Sequence, residues 1–80
     1  SYPENLKKLH RISTPELAAN YLMAQIKLLQ EPLRTLAQMV YDDSKFRSWP
    51  ASLKGHQAYK HGLMIHTAQV MDTALAMAST

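Results

Sequence analysis

The segment from residue 62 to 78, GLMIHTAQVMDTALAMA, constrains the fold more than any other part of the chain. Leu63, Met64, Ile65, Ala68, Val70, Met71, Ala74, Leu75 and Met77 fall around nearly the whole circumference of a helix, with no breaker among them. A helix that is apolar on almost every side needs partners on almost every side. The spacing therefore predicts a central, buried helix over about 62–78, with the rest of the chain packed around it.

The upstream pattern is helical as well. Ser13 with Glu16 three residues later makes a capping box, and Thr14-Pro15 offers the alternative of Thr14 as N-cap with proline in the first helical position. Leu17, Tyr21 and Leu28, flanked by Ala18, Leu22, Ile26 and Leu29, supply a wide apolar surface, so a helix is expected over about 14–30. Pro32 disfavours helical geometry at Glu31 and opens a second helix over about 32–42. There Leu33, Leu36, Ala37 and Val40 follow the i, i+3, i+4, i+7 rule. Asp42, Asp43 and Ser44 end that helix, or cap a very short one over 45–47. Phe46 and Trp49, beside Pro50, are expected to plug the underside of a loop over 50–61. Residues 1–12 read as a lead-in and 13–80 as one helical unit. No segment alternates with the period of a strand, so the fold class is all-α, a small helical bundle.

Length and composition bound the function. At 80 residues the chain is one small domain. A domain of that size buries only about 60–65% of its unfolded surface, so oligomerisation or a larger parent protein is expected. The absence of cysteine excludes disulfides, thiolate zinc sites and cysteine nucleophiles, and is the composition expected of a cytoplasmic protein. No apolar run approaches the roughly 20 residues of a membrane span, so no membrane partner is expected. A formal charge of +3 is spread over scattered Lys and Arg, with only Lys7, Lys8 and Arg11 close together. That permits a phosphorylated substrate without requiring one, and marks no recognition helix for nucleic acid. The first residue is Ser rather than Met, as in a trimmed or excised piece of a longer protein.

Chemistry concentrates in GHQAYKHGLMIHTAQV, residues 55–70, where His56, His61 and His66 recur at five-residue intervals. Ligands on one helix meet at i+3 or i+4, whereas a spacing of five turns the side chain by about 140°. The three histidines therefore make no single-helix metal motif. His56 and His61 belong to the loop, while His66 lies inside the apolar helix on the stripe with Leu63, Val70 and Thr73. A buried imidazole needs partners on its nitrogens, and on spacing alone the expected role of His66 is a hydrogen-bonded core histidine. The five methionines are expected to be core filler, and His10 has no recognisable companion.

The stretch HQAYKHGLMIHTAQV resembles the opening motif of HD-domain metal-dependent phosphohydrolases, in particular the branch with 3′–5′ exoribonucleases. That motif reads approximately His-His-Ala-Tyr-x-Gly-Gly-Leu-x-x-His-Thr-x-x-Val. His56, Ala58, Tyr59, Gly62, Leu63, His66, Thr67 and Val70 stand at its positions. The helix, the Pro-interrupted helix, Phe46 and Pro50-Ala51 fit upstream of it, so the resemblance runs from about residue 12 onward. It departs at Gln57, where the second histidine of the pair falls, and at His61, which replaces the first of two glycines.

The resemblance implies that His66 is a ligand of a divalent metal ion, and this reading then leads over the core-histidine one. It makes His56, Tyr59 and His61 candidates for substrate or outer-sphere contacts, and Gly62 the residue that lets the backbone turn tightly into the helix. It further implies an N-terminal part of an HD-type domain in a hydrolase of nucleotide, RNA or DNA phosphoesters. The His-Asp dyad that names the family, expected on a later helix, occurs nowhere in these 80 residues. One ligand cannot hold a catalytic ion, so this chain alone is expected to bind no metal and to be inactive. An open apolar surface is expected where further helices of the same protein, or a second copy in a homo-oligomer, would dock. The alternative is a non-catalytic helical interaction or oligomerisation module.

Overall fold

A computed structural model describes residues 10–50 and 60–79. Every regular element among them is an α-helix: α1 (Pro15–Leu28), α2 (Leu33–Asp42), the short α3 (Ser44–Ser48) and α4 (Gly62–Ala78). The all-α class therefore holds, and the helix limits fall within two residues of those read from the sequence. The sequence leaves open a very short helix over 45–47, and α3 occupies that position.

Local chemistry explains each start and stop. Of the two N-cap arrangements the chain uses Thr14, whose Oγ1 accepts from the Leu17 amide at 3.2 Å, with Pro15 opening α1. Glu31 and Pro32 interrupt the chain before α2. The Glu31 carboxylate compensates at the start of α2 by accepting from both the amide (3.2 Å) and the hydroxyl (2.5 Å) of Thr35. The Thr35 hydroxyl holds this carboxyl below the usual carboxylate range. Asp43 caps α3 by accepting from the Lys45 amide at 2.8 Å, as the Asp-Asp-Ser pattern implied. Arg47 then ties α3 back to the end of α2, its guanidinium donating to the carbonyls of Tyr41 (2.9 Å) and Asp42 (3.1 Å).

The core lies between α1 and α4. Ala18 and Leu22 of α1, one turn apart, face Met64, Ile65 and Ala68 of α4, and Ile12 of the segment before α1 closes the same cluster. Ala18 and Ala68 are fully inaccessible, as small residues are where two helix backbones approach closely. Phe46 packs against this core from α3, with Tyr41 at 6.4 Å between ring centroids.

Three expectations fail here. Helix α4 is not buried all round: its buried residues are Gly62, Met64, Ile65, Ala68 and Gln69, whereas Val70, Met71, Leu75 and Met77 are exposed. The principal extents of 36 × 34 × 19 Å give the reason. In a slab this thin the burial of α4 divides along its length: no residue of 62–69 is exposed, whereas from Val70 to Ala78 only Asp72 is partly buried. Helix α2 goes further, since none of its residues is buried and Leu33, Leu36 and Val40 lie open along its apolar stripe. Trp49 is no plug either; it is 54% exposed, with the Lys45 ammonium 5.6 Å over its ring. Leu17, Met23 and Met39 are also exposed, so the methionines are only partly core filler. Among the described residues, no helix is long and apolar enough to cross a membrane.

Candidate functional site

The start of α4 is built by three contacts to α3 and its C-terminal edge. The His61 amide donates to the Ser48 carbonyl (3.2 Å), the Leu63 amide donates to the Trp49 carbonyl (3.0 Å), and the His61 ring donates from Nδ1 to the Arg47 carbonyl (2.6 Å). With Nδ1 committed as donor, the neutral ring keeps a free lone pair on Nε2. His61 adopts φ 68°, ψ 7°, in the left-handed region that favours glycine. The turn expected at Gly62 thus falls one residue earlier. Gly62 itself is the first, buried residue of α4.

This geometry predicts an order among variants. The change His61→Ala keeps the left-handed strain and loses the bond to Arg47, costing about 1 kcal/mol. The change His61→Gly loses the same bond but removes about 1 kcal/mol of strain. Urea unfolding should find His61→Gly close to the parent and His61→Ala below it. The reverse order would mean the turn is not strained.

His66 lies one turn into α4. The buried residues of that helix are Gly62, Met64, Ile65, Ala68 and Gln69, and His66 lies beside this buried side, one turn after Gly62 and one turn before Gln69. His66 is half-buried rather than part of the core, and Val70 and Met77 beyond it are exposed. Its Nδ1 is nevertheless buried, with no hydrogen-bond partner among the described residues. The neighbouring Thr67 hydroxyl is spent on its own helix, donating to the Leu63 carbonyl at 2.7 Å. His66 therefore keeps an orphaned, buried nitrogen that carries a desolvation cost.

A divalent ion would find one fitting donor here. The imidazole of His66 is chemically suited to it, but among the described residues no three His, Asp or Glu side chains converge to hold an ion. His56 and Tyr59, the other candidates of the loop, lie outside the described residues.

The structure also assembles a cluster that the sequence did not mark. His10, without a companion in the sequence pattern, places Nε2 3.9 Å from Asp72 of α4 and accepts the Ile12 amide on Nδ1 at 3.0 Å. Arg11 grips both oxygens of Asp72, from Nε at 3.1 Å and from Nη2 at 2.5 Å, and lies 5.7 Å over the Tyr21 ring. That bond to Asp72 raises the Arg11 pKa, and burial raises that of the Tyr21 phenol. One turn before Asp72, Gln69 is buried and its Nε2 donates to the Ile12 carbonyl at 2.7 Å. A signal did exist. Gln69 and Asp72 are polar residues in an otherwise apolar helix, and they lie on the inner side with Ile65 and Ala68. The inner side of α4 thus carries two polar groups, Gln69 and Asp72, beside the apolar Met64, Ile65 and Ala68.

Comparison with protein-family models, with curated proteins and with solved structures finds no match to this chain.

Proposed function

We propose that this chain forms the N-terminal part of an HD-type metal-dependent phosphohydrolase acting on nucleotide or nucleic-acid phosphoesters, with His66 as one ligand of the ion. The observation that carries the reading is the His66 imidazole: it is half-buried one turn into α4, and its buried Nδ1 has no hydrogen-bond partner among the described residues. An ion held by this imidazole together with ligands from elsewhere in the full protein would resolve the orphaned nitrogen. A second observation supports the resemblance to the HD motif. The motif has glycine where this chain has His61, and His61 takes a backbone conformation that favours glycine.

When bound, such an ion lowers the pKa of a coordinated water and supplies the nucleophile for phosphoester hydrolysis. The part of this chain is to hold His66 on a rigid helix anchored to α1, and to fix the entry of that helix through His61 and the α3 carbonyls. The test is His66→Ala in the full protein encoded with this segment. Bound divalent metal, measured by elemental analysis, and phosphodiesterase activity should each fall about tenfold or more with helicity retained. Unchanged metal content and activity would overturn the assignment.

The exposed stripe of Leu33, Leu36 and Val40 on α2 favours a second reading, a non-catalytic helical interaction module. In that case the full protein holds no stoichiometric divalent ion and His66→Ala changes only self-association or partner binding.

A further inference from the structure

We infer that residues 10–12 act as a pH-sensitive clasp, in which protonation of His10 releases the Ile12 amide and loosens the seating of Ile12 between α1 and α4. The inference is independent of the proposed hydrolase function. It starts from the tautomer. Nδ1 of His10 accepts the Ile12 N–H at 3.0 Å, so that nitrogen carries a lone pair and the ring proton sits on Nε2. A proton arriving from solvent adds to this lone pair, and the imidazolium then has two N–H donors and no acceptor. The Ile12 N–H and the new Nδ1–H cannot bond to each other, and the bond is lost.

What the bond holds is part of the core. Ile12 is 2% exposed and packs with Ala18, Leu22, Met64, Ile65 and Ala68, while its carbonyl takes the Gln69 amide at 2.7 Å. The backbone of Ile12 is thus pinned twice, and of the two pins only an imidazole can change its charge in the physiological range. Among the described residues the charged or titratable groups around His10 are Arg11 beside it, Tyr21 of α1 and Asp72 of α4. Asp72 is the anion nearest to a protonated ring, at 3.9 Å from Nε2. Arg11 already occupies both of its oxygens, so this carboxylate compensates the new charge only in part and does not restore the bond lost at Ile12.

The test is amide hydrogen exchange followed by NMR, normalised to intrinsic exchange rates, between about pH 7.5 and about pH 5.5, which brackets the ordinary histidine range. Protection of the Ile12 amide should fall about fivefold in the parent protein, the worth of one hydrogen bond. It should stay constant in His10→Asn, whose side-chain oxygen accepts the same N–H without titrating. Constant protection in the parent, or an equal fall in His10→Asn, would overturn the clasp. Should the variant not fold, the parent decides alone. The His10 ring-nitrogen shifts and the Ile12 amide shift should titrate with one midpoint, and separate midpoints would sink the inference.

Discussion

Truncation of Ile65 to alanine is expected to lower the unfolding free energy by about 3 kcal/mol, within the roughly 2–5 kcal/mol found for such buried truncations. Ile65 is 3% exposed and lies at the meeting point of α1, α4 and the Ile12 segment, with Leu22, Ala18 and Ala68 as neighbours in the core cluster. Those neighbours are held by two helix backbones already in close approach at Ala18 and Ala68, so the site cannot collapse to refill the void. The total stability of a domain this small is on the order of 4–12 kcal/mol, so one truncation removes a large fraction of it. Urea denaturation should show a lower midpoint with an unchanged slope. The paired control is Leu75→Ala, an equally apolar change in the exposed C-terminal half of the same helix, two turns beyond Ala68, which should cost less than about 0.5 kcal/mol. Equal losses at 65 and 75 would mean that α4 is covered along its whole length.

The second large effect is expected at Gln69. Its Nε2 is the donor that satisfies the buried Ile12 carbonyl, and its Oε1 is buried without a partner among the described residues. Gln69→Leu removes the donor and the orphaned oxygen together, and should cost about 1–2 kcal/mol. Gln69→Glu is nearly isosteric but turns the donor into a carboxylate oxygen facing a carbonyl oxygen, a buried charge with no counter-ion. Its cost at neutral pH should reach about 3–5 kcal/mol. Burial raises the pKa of such a carboxyl above its unfolded value, so the folded state holds the proton more tightly. Stability of the Glu variant should therefore recover as pH falls through that raised pKa, while the Leu variant shows no such gain. Urea midpoints of the two variants at neutral and mildly acidic pH check this. A Glu variant as stable as the Leu variant at neutral pH would show that position 69 is open to water.

Polar groups on the inner side of α4 fasten the segment that precedes α1: Gln69 holds the Ile12 carbonyl and Asp72 holds Arg11. Hydrophobic patterning alone puts Gln69 in water, and the fold buries it. His66, expected inside a helix buried all round, is half-buried, with Nδ1 buried and without a partner among the described residues. That orphaned nitrogen is what makes His66 the candidate ligand.

What the sequence alone determined is everything decided within a few residues. Thr14 and Pro15 start α1, Pro32 separates α2 from α1, Asp43 caps α3, and the absence of breakers carries α4 to Ala78. Each is a local contest between capping bonds, proline sterics and helix propensity, which adjacent residues settle among themselves. Only the tertiary structure decided which side of an all-round apolar helix faces in. Two apolar faces of α4 compete on nearly equal terms, and hydrophobicity is not directional. The choice was made by directional groups 57 and 61 residues apart, the Gln69 amide on the Ile12 carbonyl and the Arg11 guanidinium on Asp72. No local pattern encodes such a pairing; it exists once α1 lies along α4.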